Sequence, residues 1–111
     1  MIGFLLKRLR QYQAKSRYNQ FKNYIEIGYS HLLESFKMNL NNPLKDKIYL
    51  SVGDNTILNC NITFESNEGE IFIGNNTFVG GSDLICRTKI EIGDNVFIAW
   101  GGTIYDHDSH S

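Results

Sequence analysis

An apolar residue followed by glycine recurs four times along the chain in one local pattern. Each copy reads apolar–x–apolar–Gly, then four residues, then another apolar residue, and the copies begin at Ile25, Leu50, Ile71 and Ile90. In the later copies an apolar residue recurs every six positions, in the series Val52–Leu58–Phe64, Ile73–Val79–Ile85 and Ile92–Ile98–Ile104. Three sixes make an eighteen-residue coil with three flat sides, and fixed periods of this kind are typical of stacked solenoids.

Each position in the repeat has a physical reason. The apolar residues at six-residue spacing are expected to point inward and stack on their equivalents in adjacent coils. The Gly-Asp-Asn and Gly-Asn-Asn segments are expected at corners, because Gly and Asn tolerate positive φ. Coil starts lie 25, 21 and 19 residues apart, so the excess over eighteen must leave as loops. We expect those loops near 39–44, 65–69 and 87–88. Antiparallel hairpins with Asn-rich turns would not keep this register.

Composition limits the fold to one domain of modest core size. The chain has 111 residues, of which 41% are hydrophobic, as in an ordinary globular protein. Cys60 and Cys86 fall in different coils and at different places in the six-residue pattern. We therefore expect buried free thiols rather than a disulfide, which suits a reducing cytoplasm. The sequence contains no apolar stretch long enough to span a membrane.

Charge divides the chain into two parts. Residues 1–24 carry six basic side chains and no acidic one, whereas residues 25–111 carry five basic and twelve acidic ones. Leu5, Leu9 and Tyr12 share one helical face, so residues 3–22 are predicted to form a basic amphipathic α-helix. That helix would either cap the open first coil or contact an anionic membrane surface. Nucleic-acid binding is not supported, because no recognition motif accompanies the basic residues and the remainder is acidic.

The four copies, together with Thr103-Ile-Tyr-Asp-His-Asp-Ser-His-Ser111, resemble a known family. Residues 25–111 look like the hexapeptide-repeat acyltransferases, and more narrowly like bacterial polysaccharide, galactoside and maltose O-acetyltransferases. The resemblance implies a left-handed parallel β-helix of about four coils, although crossovers are usually right-handed. It also implies a homotrimer with active sites between subunits, acetyl-CoA as the acyl-donor substrate, a sugar or glycan acceptor and no metal.

The cluster at the end of the chain carries the candidate chemistry. An alcohol is a poor nucleophile at neutral pH, and a histidine can take its proton as general base. His107 matches the family's catalytic histidine. Asp106 or Asp108 could hold the other ring nitrogen, but alternation along a strand places both on the side opposite His107, so a backbone carbonyl could serve instead. His110 is expected either to be structural or to contact the acceptor or the cofactor.

Further candidates lie one coil earlier and just before the cluster. Ser82 and Asp83 are polar where a core strand would be apolar, so they either contact acceptor hydroxyls or simply face outward. Trp100 is expected to wall the acceptor site or to pack between subunits. The family often has an asparagine near this point, and the matching position in this chain is a glycine. The identity of the acceptor sugar is therefore left open. Gly80-Gly81 and Gly101-Gly102, one coil apart, would let a ligand or a neighbouring chain approach closely.

Two other functions fit the same fold. Left-handed β-helix carbonic anhydrases bind zinc through three histidines across a trimer interface, and Asp106, His107 and His110 offer suitable ligands, with His31 as the distant third histidine. A non-enzymatic, trimerising scaffold is the second alternative. The resembled family continues beyond the histidine with coils that form most of the coenzyme A groove, so we expect weak or no turnover from these 111 residues and an exposed last coil. The expected location is the cytoplasm, with membrane contact through residues 1–24 left open.

Overall fold

The computed structural model describes residues 21–106, and residues 25–105 of it contain twelve short β-strands. Strands pair in parallel throughout the described range. The predicted helix over residues 3–22 lies outside the described residues, except for its last two positions, Phe21 and Lys22. His107, Asp108 and His110 also lie outside them. Among the described residues, no helix has the length and apolar character needed to cross a membrane.

Three four-stranded sheets form the three sides of a parallel β-solenoid of about four coils. Sheet A contains β1 (Ile25–Ile27), β4 (Leu50–Val52), β7 (Glu70–Ile73) and β10 (Lys89–Ile92). Sheet B contains β2 (His31–Leu32), β5 (Ile57–Leu58), β8 (Phe78–Val79) and β11 (Phe97–Ile98). Sheet C contains β3 (Lys37–Asn39), β6 (Asn61–Phe64), β9 (Asp83–Cys86) and β12 (Thr103–Tyr105). Each coil therefore supplies one strand to each sheet, which confirms the solenoid predicted from the repeat.

Inward-facing apolar side chains from the three sheets form one continuous core. Sheet A contributes buried pairs from successive coils, and sheet B contributes Leu58 and Val79. In sheet C, Ile62 pairs with Leu84 and Phe64 pairs with Cys86, and all four side chains are buried. Stacking each coil on its neighbour removes these side chains from water, and this burial is the main stabilising term for the described coils.

Glycine at the corner between sheets A and B makes room for the next coil. A Cβ placed on Gly53 would lie 2.2 Å from Oδ1 of Asn75, and one on Gly74 would lie 2.2 Å from Oδ1 of Asp94. Those oxygens accept hydrogen bonds from the backbone N–H groups of Asp54 and Asn75, both at 2.7 Å. The repeated glycine therefore serves close approach between coils, and a side chain there would displace the bond.

Positive φ belongs to asparagine in this corner, not to the glycine that precedes it. Asn55, Asn76 and Asn95 have φ of 57°, 55° and 58°. Among the described glycines only Gly101, in another corner, lies in this left-handed region. The sequence-based explanation for the corner was therefore correct for asparagine and wrong for glycine. Asparagine adopts this conformation at lower cost than most residues, because its short side chain bonds locally.

The register differs by one residue from the predicted series in two coils. Leu32, not Leu33, pairs with Leu58 and occupies the inward position in the first coil. In the third coil Leu84 and Cys86 are buried, while Ile85 is only half-buried and pairs with outward-facing Thr63. The prediction for Ile85 was wrong because the extra residue of this coil lies in the corner at Gly80–Ser82. It does not lie at Arg87-Thr88, where the sequence placed it.

The two larger insertions are where the sequence predicted them. One is the connection of residues 40–49 between β3 and β4, and the other is residues 65–69 between β6 and β7. Buried Tyr49 joins them, because its hydroxyl accepts a hydrogen bond from the N–H of Leu44 and donates one to the carbonyl of Asn67. Its ring packs edge-on against Phe64, with 5.3 Å between centroids. The loops are thus tied to the core and to each other.

Cys60 and Cys86 are buried free thiols, as expected from their spacing. Burial raises the pKa of both thiols to about 12. For Cys86 the nearby Asp106 carboxylate adds to the effect of burial on the pKa. A thiol that stays protonated is a poor nucleophile, so neither cysteine is a candidate for covalent catalysis.

Candidate functional site

Asp106 closes the last described turn of sheet C through its carboxylate. Both oxygens accept a hydrogen bond from the N–H of Arg87, at 2.9 and 3.0 Å, and Oδ2 accepts further bonds from the N–H groups of Thr88 and Lys89. The Cys86 sulfur lies 3.7 Å from the same oxygen. Three successive N–H groups converging on one carboxylate form an anion-binding concavity, in which charge-assisted bonds are strong.

The Asp106 carboxylate therefore holds coil four against coil three, directly before His107 in the sequence. The sequence offered Asp106 as a group that could orient the histidine. In the structure its oxygens accept hydrogen bonds from the backbone N–H groups of residues 87–89. His107 and Asp108 lie outside the described residues, so Asp106 and Asp108 both stay candidates for orienting the ring.

Ser82 lies in the corner between sheets B and C and is buried, with 2% of its surface exposed. Its hydroxyl donates a hydrogen bond of 2.7 Å to the carbonyl of Ala99, one coil further on. Its own carbonyl accepts the N–H of Asn61 from the preceding coil. Ser82 thus links three coils, and its hydroxyl proton is already used within the protein. Direct donation from this hydroxyl to an acceptor would require breaking the bond to Ala99.

Asp83 begins β9 and faces outward on sheet C. Its Oδ1 accepts a hydrogen bond of 3.1 Å from the side-chain amide of Asn61. Its backbone N–H donates to the carbonyl of Gly102. Among residues 21–106 the second carboxylate oxygen, Oδ2, accepts no hydrogen bond, so it faces solvent with its acceptor capacity intact. Asp83 therefore offers a ligand a carboxylate oxygen at the outer surface of sheet C.

Trp100 lies in the same corner as Ser82, one coil further on, and its surface is 82% exposed. Its Cβ would be 3.5 Å from a Cβ added to Gly81, which is an ordinary van der Waals contact, so the two coils lie side by side here. Gly101, the next residue, donates a hydrogen bond to the carbonyl of Gly81. The two glycine pairs therefore adjoin, as their spacing predicted, and an exposed indole stands beside them.

The structure divides the candidate residues between two corners. Ser82, Asp83 and Trp100 lie at the start of sheet C, whereas Asp106 lies at its end. Thr103, which pairs with Asp83, is three residues before Asp106, a separation of roughly 10 Å at the rise of a strand. Ser82, Asp83 and Trp100 thus share one corner, but that corner lies across the width of sheet C from Asp106.

His31, the third histidine of the zinc alternative, lies exposed on β2 at the other end of the solenoid. Three parallel pairings separate its position on sheet B from β11, which is roughly 14 Å at the usual strand spacing. Asp106 lies beyond β11 in the last coil, at a different corner. Within the described part of one chain, no group of three metal-binding side chains comes together. A zinc site with His31 would need ligands from a second chain.

Asn61 and Lys37 were missed by the sequence analysis. Asn39, Asn61 and Asp83 form a side-chain ladder across three coils, in which each asparagine amide donates to the next residue, at 3.1 Å in both steps. Lys37 stands beside them on β3, and pairs in register with Asn61. The first residue of each of β3, β6, β9 and β12 is polar, and this regularity could have indicated the ladder. It becomes visible only when the coils are aligned with their correct corner lengths.

Comparisons with known proteins identify no family for this chain. A scan against protein-family models found no match, and searches of curated proteins and of solved structures found none either. The fold and the geometry of the two corners are therefore the basis for a functional proposal.

Proposed function

We propose that this protein is an O-acetyltransferase that moves an acetyl group from acetyl-CoA to a sugar or polysaccharide hydroxyl. The observation that carries the proposal is the anchoring of Asp106, since a carboxylate held by three backbone N–H groups fixes the chain immediately before the proposed general base. The parallel solenoid supports it, because the repeat that predicted this fold also led to the resemblance. A left-handed coil and a homotrimer are part of the proposal.

His107 acts as general base in this proposal. One ring nitrogen takes the proton of the acceptor hydroxyl while the hydroxyl oxygen attacks the carbonyl carbon of the thioester. The C–S bond then breaks, the acetyl group stays on the acceptor oxygen, and the imidazolium returns its proton so that coenzyme A leaves as the free thiol. General-base assistance of this kind typically contributes about 10²–10⁴-fold to the rate.

Asp106 holds the chain in place directly before His107, and Asp106, Asp108 and His110 are the candidates for orienting the ring or holding the acceptor. The direct test measures release of free thiol from acetyl-CoA by the 111-residue chain, at high protein concentration so that slow chemistry is detected. Galactosides, maltose and N-acetylglucosamine serve as acceptors. Any release should be weak and acceptor-dependent, and it should fall by about 100-fold or more in His107→Ala.

His31→Ala is the matched control, because it removes an exposed histidine far from Asp106. Its rate should equal that of the unchanged chain. Thiol release that persists in His107→Ala would refute the assigned base. Absence of release from a chain with a folded far-UV spectrum would mean that these 111 residues do not carry out the transfer by themselves, and it would favour a scaffold for this chain.

The scaffold is supported by one feature of sheet B, its exposed aromatic surface. Phe97 is 75% exposed and stacks on Phe78 of the preceding coil at 5.1 Å, and Trp100 is exposed nearby. Exposed aromatic groups in one area are typical of surfaces that associate. Sedimentation of the chain and of Phe97→Ala tests this, since an assembly built on sheet B should weaken when the ring is removed.

A further inference from the structure

A polar groove runs along the corner between sheets B and C, over the first three coils. Its volume is about 460 Å³, and most of its lining residues carry polar side chains: Glu34, Lys37, Asn59, Asn61, Ser82 and Asp83. Each coil contributes to the wall at equivalent positions, because Lys37, Asn61 and Asp83 are register partners at the start of β3, β6 and β9. The groove therefore repeats the same kind of contact along the solenoid axis.

The ladder in this groove holds its polar groups in fixed directions. Asn61 donates to Asp83 through its amide nitrogen and accepts from Asn39 through its amide oxygen, so its orientation is set on both sides. Among residues 21–106, the Lys37 ammonium forms no ion pair and Oδ2 of Asp83 accepts no hydrogen bond. The row of amides ends in an available carboxylate oxygen at Asp83, and Lys37 provides a cationic donor at the other end of the row, in the first coil. Such a surface suits a ligand with many hydroxyl groups, each able to donate and accept.

Trp100 adds an apolar platform to the end of the groove. Its Cβ lies beside Gly81, one of the groove-lining residues, and its ring is largely exposed to solvent. A sugar ring has a polar rim of hydroxyls and a face of C–H groups, which packs on an indole while the hydroxyls bond to neighbouring amides. An aromatic side chain brings a large apolar area at small entropic cost.

The repeat distance favours a chain of sugars over a single one. Adjacent coils are about 4.8 Å apart, so contacts from coil one to Trp100 in coil four extend over roughly 14 Å. A single sugar ring would touch the side chains of one or two coils, whereas a linear oligosaccharide of three or more would touch all of them. Sheet C also separates this groove from Asp106 by roughly 10 Å, a gap that only an extended acceptor spans.

We propose that the groove lined by Lys37, Asn61 and Asp83, together with Trp100 beyond its end, binds a neutral oligosaccharide of at least three sugars. The chain lies along the solenoid axis, with one ring on Trp100 and its hydroxyls on the amide–carboxylate ladder. That this glycan is the acetyl acceptor rests on the proposed function. Binding itself depends only on the described groove.

The test measures binding of maltose-series and β-linked N-acetylglucosamine oligosaccharides, from one to five sugars, to the 111-residue chain without acetyl-CoA. Calorimetry or saturation-transfer NMR gives the affinity. In at least one series the affinity should rise tenfold or more from one sugar to three and then level off. No binding by any member at millimolar concentration would overturn the proposal, and so would an affinity independent of length.

Two variants locate the binding in this groove. Trp100→Ala and Asn61→Ala should each weaken the trisaccharide by about tenfold, while Tyr29→Ala, which removes an exposed aromatic ring from another corner, should leave it unchanged. Equal loss in Tyr29→Ala, or no loss in Asn61→Ala, would overturn the assignment. Binding without thiol release would support the groove and count against acetyl transfer by these 111 residues. Thiol release unaffected by both groove variants would support the transferase and show that this groove does not hold the acetyl acceptor.

Discussion

Oδ2 of Asp106 accepts a hydrogen bond of 2.7 Å from the backbone N–H of Lys89, seventeen residues earlier in the chain. The bond joins the end of the fourth coil to the turn that ends the third. Arg87 and Thr88 donate to the same carboxylate, so one side chain satisfies three consecutive backbone donors. A solenoid is held together by contacts between neighbouring coils. The bonds of Asp106 are contacts of this kind, and they fix the point at which the chain leaves sheet C.

Replacing Asp106 should therefore destabilise the protein. Asp106→Ala leaves the N–H groups of residues 87–89 without this acceptor, and we expect a loss of about 1–3 kcal/mol in the free energy of unfolding. Asp106→Asn keeps one carbonyl oxygen and should lie between the two. Urea denaturation followed by circular dichroism measures the difference.

Glu91→Ala is the control for Asp106, because Glu91 forms an exposed ion pair with Lys89 at 2.7 Å. Such pairs contribute about 0–1 kcal/mol, so this variant should be close to the unchanged protein. Equal effects of the two substitutions would mean that general loss of negative charge, not the turn, explains the result.

Substitution by alanine should destabilise the protein at one of two equivalent corner glycines and have almost no effect at the other. In Gly74→Ala the new methyl group would lie 2.2 Å from Oδ1 of Asp94, so the bond from that oxygen to Asn75 must break or the coils must separate. We expect a loss of about 1–3 kcal/mol. In Gly93→Ala nothing lies within 4 Å of the added Cβ, and the change should stay within about 0.5 kcal/mol. Thermal or urea unfolding compares them, and similar losses would contradict the steric explanation.

Thr77 is buried at the same corner and bonds to the following coil in two ways. Its hydroxyl donates to the carbonyl of Gly93 at 2.8 Å and accepts the N–H of Val96 at 3.3 Å. Thr77→Val keeps the shape but leaves both backbone groups without this partner. We expect a loss of about 1–3 kcal/mol in unfolding free energy. Thr103→Val, at an exposed strand position, is the control and should change the stability by less than about 0.5 kcal/mol. A neutral effect at Thr77 would indicate that water replaces the hydroxyl.

The sequence predicted the solenoid and its two main loops, but not the lengths of its corners. The stretch Leu84-Ile85-Cys86 is apolar at three consecutive positions, so periodicity alone does not decide which residues point inward. A slip of one residue in a strand exchanges its two faces, and an extra residue at Gly80–Ser82 is enough to cause it. Loop and corner lengths also decide which side chains meet. The bonds of Asp106 to residues 87–89 and the ladder at Asn61 could therefore not be foreseen.

The buried thiols should make stability fall at alkaline pH. The pKa of Cys60 is about 12 in the folded chain, against a usual value of 9.0, because burial disfavours the thiolate. Unfolding therefore releases a proton above pH 9. This contribution to stability is complete below about pH 9 and is lost as the pH rises towards 12. Urea unfolding at pH 8 and pH 10 should show a decrease that is smaller in Cys60→Val, which lacks the thiol. An identical pH dependence in the variant would show that Cys60 is not protected by the core.

The folded chain should also react slowly with a thiol reagent at pH 8, and rapidly once urea exposes Cys60 and Cys86. Rapid reaction without urea would show that the thiols are accessible to solvent.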